Sequence, residues 1–492
     1  MIRTGGARIG ELRFARGFAN LPSELWEERA PTPLREPYLV ALSPDAAALV
    51  GLDARAAEGD PEFLQISAGN ALPSGAFPIA TAYAGHQFGS WAGRLGDGRA
   101  ILLGEVEGWE WQLKGAGLTA FSRWADGRAV LRSTIREFLC SEAMDALGIP
   151  TTRALAIVGS DETVYRERAE TAAVLTRLAP THVRFGSFEM FHYSGRPDLV
   201  KTLADYTIDR YYPELRDAGP LPYNSWLREI VARTARLLAK WQAVGFAHGV
   251  MNTDNMSVIG LTIDYGPFGF IDAYDPGFIC NHTDEFGRYA FDRQPTIALW
   301  NCYALAEALG SVLDLDPARE ALAGFEEVFG DAYLNELRRK LGLSTREDDD
   351  AVLLGDLLRL MESDRADYTR VWRSLATVTL EEGGGERDVG QHFGDSRGAE
   401  LAAWLERYRQ RLRREGSNDV ERRARMNAVN PKYVLRNYLA QIAIEAAQRK
   451  DFTEIERLLA VLRRPFDEQP EREAYAAPPP EWGRRLVVSC SS

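Results

Sequence analysis

The sequence has too few cysteines for a disulfide scaffold: Cys140, Cys280, Cys302 and Cys490 are dispersed over 492 residues, with no C-x-x-C pair. No apolar run approaches the roughly 20 residues that cross a bilayer. The first residues, MIRTGGARIGELRFARGF, hold no apolar core of signal-peptide length. Positive charge is in deficit: 71 acidic against 58 basic residues give a net charge of -13. That balance argues against a chain that binds nucleic acid or anionic membrane as a whole, while leaving room for a basic nucleotide pocket. Repeats of solenoid length are absent. What remains is an ordinary globular composition, 45% hydrophobic and 26% charged, at a length that supports roughly two or three domains. The expectation is a soluble cytoplasmic protein, monomeric by default, with neither nucleic-acid nor membrane partners.

The first 80 or so residues mix loops with short helical or extended pieces. From Ala100 the pattern sharpens. AILLGEVEGWEWQLKGAG reads as two strands, Ala100 to Val106 and Glu110 to Lys114, around a turn at Gly108. RAVLRSTIREFLCSEAMDAL reads as a helix stopped by Gly148 and Pro150. Extended segments follow: RALAIV, a turn at Gly159-Ser160-Asp161, ETVYRER and AAVLTRL. After Asp198 the chain turns mostly helical, and LREIVARTARLLAKWQAVG has apolar residues at helical spacing. A further helical region extends beyond residue 310 and includes ARMNAVNPKYVLRNYLAQIAIEAAQ. The end, AYAAPPPEWGRRLVVSCSS, reads as an extended arm after a proline break.

The chemistry concentrates after the long helix. HGVMNTDN, 248–255, has the His and Asn of the kinase catalytic loop H-R-D-x-x-x-x-N, but Val250 stands where the catalytic Asp belongs. LTIDYG follows, placing Asp264-Tyr265-Gly266 where kinases have Asp-Phe-Gly. Asn255 and Asp264 are hard oxygen donors suited to Mg²⁺. The bland alternative is a pair of polar turns. Asp254, next to Asn255, is positioned to supply the missing carboxylate as base or to position the metal. Upstream, GRLGDGRA precedes a strand. Gly96 and Gly98 would let backbone N–H groups approach phosphate and Arg99 would add charge, although alone this stretch reads as an ordinary tight turn. Lys114 ends a strand as a candidate phosphate lysine or a snorkelling edge residue. Its best partner on the following helix is Glu137, because Glu142, five residues on, faces elsewhere.

Together these residues resemble the selenoprotein O family of pseudokinase-like proteins. The resemblance runs through WAGRLGDGRA, QLKGAG, SRWADGRAVLRSTIREFLCSEAM, LTRLAPTHVRFGSFE, HGVMNTDNMSVIGLTIDYGPFGFID and NPKYVLRNYLAQ. It implies an α+β, protein-kinase-like bilobal fold: an N-terminal extension over 1–80, a small β-rich lobe over 81–190 and a helical large lobe over 191–310. A helical C-terminal region over 311–475 and a tail over 476–492 complete it. The implied activity is AMPylation, transfer of AMP from ATP to Ser, Thr or Tyr hydroxyls of proteins, some of them redox-related. The ATP is bound inverted relative to a kinase, and Mg²⁺ or Mn²⁺ assists; UMP transfer stays open.

The resemblance also implies roles. Lys114 and Glu137 form the small-lobe ion pair. Gly96, Gly98, Arg99, Asp126, Gly127, Arg177, Arg184 and Asp264 contact nucleotide. Asp254 is the catalytic acid/base, and Asn255 and Asp264 are the metal ligands. Eukaryotic members carry selenocysteine third from the end, where this chain has Cys490. A redox latch between Cys490 and Cys280 and two unpaired thiols are equal alternatives. Three other functions stand beside AMPylation: a kinase using Asp254 as base, a non-catalytic ATP-binding scaffold, and a helical adaptor that binds no nucleotide.

Overall fold

A computed structural model describes residues 6–216, 219 and 221–489. The architecture is α+β. Its strands are β1 Trp26–Glu28, β2 Tyr38–Leu42, β3 Ile79–Thr81, β4 Ala84–Gln87, β5 Ser90–Arg94, β6 Ala100–Val106, β7 Trp109–Lys114, β8 Ala129–Val130, β9 Arg153–Tyr165, β10 Ala169–Ala179, β11 Phe246–Ala247 and β12 Gly269–Phe270. Eight of them form one sheet in the order β1-β3-β6-β7-β10-β9-β2, with β8 also pairing β10. The N-terminal 80 residues therefore supply both edges of this sheet.

The alternation along β7 decides what faces what. Trp111 and Leu113 enter a core with Ile101, Leu103 and N-terminal residues such as Phe63 and Ile66. Glu110, Gln112 and Lys114 point to the opposite face, as the two-residue period requires. Helix Leu131–Ala146 packs on that second face through Ile135, Phe138 and Leu139, in a core shared with the later helices Pro222–Val244 and Gln294–Ala308. A further core joins helices Asp350–Asp364, Tyr368–Ser374 and Gly398–Arg414.

Helix Pro222–Val244 ends at Gly245, whose φ of 75° closes it in the left-handed region and turns the chain into β11. The loop 248–255 follows directly. No helix among the described residues is long and apolar enough to cross a membrane.

Four local expectations differ from the structure. No turn interrupts 159–161: β9 runs unbroken from Arg153 to Tyr165, with an irregularity in its pairing to β10. Gly159 serves close packing instead, since a Cβ there would sit 2.7 Å from the Tyr38 ring of β2. Ala129 and Val130 pair with β10 before the helix begins at Leu131. In the C-terminal region the helix Asp419–Asn427 stops and Asn437–Ala447 begins anew, with Pro431 between them unable to donate a helical N–H. The tail, read as an extended arm, lies against the body in its described part. Gly483 packs on Tyr438, and the His282 N–H donates to the Val488 carbonyl at 2.8 Å.

Candidate active site

A cleft of about 700 Å³ opens between the sheet and the loops after β11. Lys114 from β7, Glu137 from helix Leu131–Ala146, Arg177 from β10, and Val250, Asp254, Asn255 and Asp264 from the loops all line it. Lys114 Nζ lies 2.5 Å from Glu137 Oε2 and 3.5 Å from Asp264 Oδ1. Glu142 is engaged elsewhere, accepting from Arg153 at 3.0 Å and Ser43 at 2.5 Å. Burial lowers the Lys114 pKa, and Glu137 and Asp264 oppose that effect.

Asp264 is the electrostatic hub. Arg177 donates to one of its carboxylate oxygens and Arg184 to the other. Burial alone would raise its pKa, but Arg177, Arg184 and Lys114 hold it well below the usual carboxylate value. Its backbone is strained, with φ at 56°, a region that non-glycine residues seldom occupy. Arg177 also reaches Glu137 at 3.2 Å and Gln112 Oε1 at 2.7 Å, while Gln112 donates to Asp97 at 3.2 Å. Arg184 donates to the Asp254 carbonyl at 2.6 Å and stacks over the Tyr83 ring at 4.5 Å. The two arginines thus carry charge-assisted bonds that orient them before any ligand arrives.

His248 acts as a brace. Its ring donates to the Ile263 carbonyl at 2.8 Å and stacks on Trp241, joining the catalytic-type loop to the segment before Asp264. Val250 is buried on the cleft wall, and its carbonyl accepts from Asn255 Nδ2 at 2.8 Å. That bond uses the amide nitrogen, and no described hydrogen bond uses Asn255 Oδ1.

Asp254 is the unusual carboxylate. Oδ2 accepts from Gln87 Nε2 at 3.1 Å, whereas Oδ1 is buried with no partner. Burial raises its pKa to about 6, with Gln87 and Arg184 opposing. A Cβ at Gly85 would meet Oδ1 at 2.6 Å, so the β4 backbone is closed tightly over this group. A cleft-lining carboxylate with a raised pKa and an oxygen that no hydrogen bond occupies is suited to accept a proton.

The remaining sequence-selected residues fall into two groups. Gly96, Gly98 and Arg99 line the cleft, with Arg99 exposed. The Gly96 N–H already donates to the Tyr83 carbonyl and the Gly98 N–H to the Gly96 carbonyl. The glycines instead admit the neighbouring loop, since a Cβ at Gly96 would lie 2.2 Å from the Phe121 ring. Asp126, Gly127 and Arg184 are not on the cleft lining. Gly127 packs against Gly117, and Asp126 holds Arg166 through two bonds of 2.7 and 2.8 Å. Arg166, which does line the cleft, escaped sequence reasoning, as did Gln87. Arg166 sits in an exposed β9–β10 turn and Gln87 at a hairpin tip, where no spacing rule singles out a polar residue.

For a divalent cation, the fitting donors are Asn255 Oδ1 and the second lone pairs of the Asp264 carboxylate. No cluster of three or more His, Cys, Asp or Glu suited to a metal occurs among the described residues, so phosphate oxygens would have to complete the shell. Cys280 is buried, with its thiol 3.5 Å from the Ala247 carbonyl. Its suggested partner, Cys490, lies outside the described residues.

Comparison with known proteins is consistent along the chain. A family model described as protein adenylyltransferase SelO matches residues 8–463. The protein nucleotidyltransferase YdiU of Thiobacillus denitrificans is 54% identical over 492 residues, covering 99% of this chain and 100% of the relative. That of Thioalkalivibrio sulfidiphilus is also 54% identical, with the same coverage of each chain. The Myxococcus xanthus protein of the same name is 52% identical over 491 residues, again 99% and 100% covered.

Proposed function

The chain belongs to the SelO family of protein adenylyltransferases, and from that premise we propose that it moves AMP from ATP onto hydroxyl groups of proteins with Asp254 as the base. The observation that carries this reading is the Asp254 carboxylate: the residue lines a cleft walled by Lys114 and Arg177, its Oδ1 has no hydrogen-bond partner, and burial raises its pKa to about 6. The kinase position, Val250, has no proton-accepting atom in its side chain. The sheet with helix Leu131–Ala146 corresponds to the small lobe of a kinase-like fold, and the helices from residue 197 onward to the large lobe.

In the proposed reaction the acceptor hydroxyl gives its proton to the Asp254 carboxylate as its oxygen bonds to the α-phosphorus. The bond from the α-phosphorus to the bridging oxygen breaks, and pyrophosphate leaves. Arg177, Arg166 and Lys114, which line the cleft, bind and orient the phosphates; Arg184 holds the Asp264 carboxylate, and Glu137 holds Lys114 and Arg177 in place. Asn255 and Asp264 would hold Mg²⁺ or Mn²⁺, which neutralises phosphate charge when bound. An ATP inverted relative to a kinase would present its α-phosphate, not its γ-phosphate, to the acceptor.

The test compares ATP labelled at the α- or the γ-phosphate, with Asp264→Ala beside the wild type. Protein-bound label from the α-position alone, lost in the variant, is expected. Label from the γ-position would instead mean a kinase using Asp254. Binding of ATP with neither label transferred would mean a scaffold.

A further inference from the structure

The β4–β5 hairpin stands apart from the main sheet and sits on the catalytic-type loop. Gln87 donates to Asp254, the His86 N–H donates to Thr253 Oγ1 at 2.7 Å, and the Phe88 N–H is shared between Asn252 and the Tyr289 hydroxyl. Phe88 and Gly89 form its two-residue turn, both at positive φ. An aromatic residue at φ 51° is strained, and the two acceptors on its N–H hold it there.

From this tip an aromatic ledge runs outward. Phe88 is 39% exposed and lines the cleft with Asp254. Trp91 and Tyr193, 42% and 44% exposed, lie with ring centroids 4.3 Å apart. His86 packs on Trp91 and on Trp300, and the Arg288 guanidinium stacks over Trp300 at 4.9 Å. Gly89 leaves room for that guanidinium, which a Cβ would approach to 3.0 Å. Arg288 has no carboxylate within ion-pair reach among the described residues, and its buried Nε has no hydrogen-bond partner. The nearby acids are otherwise engaged: Glu307 accepts from the Tyr193 hydroxyl, Glu189 lies buried against His86 and Thr253, and Asp284 accepts backbone N–H groups. β5 pairs only with β4 among the described strands, leaving its outer edge open.

We propose that this ledge is the acceptor dock: it holds an extended segment of the substrate polypeptide with an acidic residue near the hydroxyl to be modified. This rests on the reading of Asp254 as the base. The ledge is continuous with the cleft at Phe88 and Gln87, so a segment lying on it brings a side-chain hydroxyl toward Asp254. The unpaired Arg288 charge calls for an acidic side chain, Trp91 and Tyr193 offer apolar faces to a bulky one, and the open β5 edge favours an extended backbone.

The test is a positional-scanning peptide library around a central Ser, Thr or Tyr, labelled from α-labelled ATP with Mg²⁺, with self-labelling of the enzyme as internal control. The wild type is expected to favour peptides with an acidic residue near the acceptor. Arg288→Glu is expected to shift the acidic-to-basic ratio of kcat/KM by about tenfold towards basic peptides. Arg288→Lys should keep the acidic preference, which separates loss of charge from misfolding. Trp91→Ala should raise the peptide KM without moving the KM for ATP. Self-labelling accompanied by no acidic preference, or by one that Arg288→Glu leaves in place, overturns the dock while sparing the transferase reading. Absence of α-label from enzyme and peptides alike overturns both.

Discussion

Replacing Asp254 with Asn tests whether this carboxylate is held ready for proton transfer at the expense of stability. Ionised Asp254 is disfavoured by burial, which moves its pKa from 3.8 to about 6. That displacement corresponds to about 3 kcal/mol of native-state destabilisation once the group is ionised in both states. A folded-state pKa above the unfolded value means the fold is most favoured, as far as this group is concerned, below pH 3.8. The contribution is lost as pH rises through about 6. Asn has the same shape, fits beneath Gly85, and still offers an oxygen to Gln87. Asp254→Asn should therefore gain up to about 3 kcal/mol at pH 7.5, roughly 3 °C in Tm for a chain of this size. The gain should shrink towards pH 4.5. Transfer from α-labelled ATP should fall by about 10²–10⁴-fold, and the wild-type rise in rate through pH 6 should disappear. Thermal melts at the two pH values and a pH–rate profile supply both readouts. A variant less stable than wild type at pH 7.5, or a stability gap that stays constant with pH, would refute the burial argument. Near-normal transfer would refute the role as base.

Gly96→Ala should destabilise the protein by more than about 2 kcal/mol, read as a lower urea midpoint, because φ is 68° and the added Cβ would overlap the Phe121 ring. Away from the site, Lys340 is buried over the rings of Trp372 and Tyr368, at 4.9 and 5.5 Å, and burial lowers its pKa to about 7. A folded-state pKa below the unfolded one withdraws stability as pH falls from 10.5 to about 7. Lys340→Met should thus stabilise by about 1–4 kcal/mol at pH 7 and gain little above pH 10.5, which paired denaturant titrations would show.

Local order made much of the site legible. The residues 248–266 lie close together in sequence, so spacing alone brought His248, Asp254, Asn255 and Asp264 to attention. Two-residue alternation in WEWQLK separated Lys114 from Trp111 and Leu113, and helical geometry chose Glu137 over Glu142. The same periodicities marked individual strands and helices, while the α+β, kinase-like class came from the family resemblance. Gly159 was misread as a turn because a glycine needed for a neighbouring ring looks the same in sequence as one needed for a bend.

What only the tertiary structure decided are quantities set by residues distant along the chain. Gln87 ends strand β4 and Arg166 lies in the β9–β10 turn, and folding brings both to the cleft. The sequence names Arg177, Arg184 and Asp264, but only their convergence shows both oxygens of one carboxylate taken by two guanidinium groups. Asp254 is a plain aspartate in sequence; its raised pKa arises from burial beneath a strand about 170 residues earlier. Spacing along a chain can specify which chemical groups are available, whereas protonation and charge pairing depend on what excludes water from them, which is a property of the packed fold.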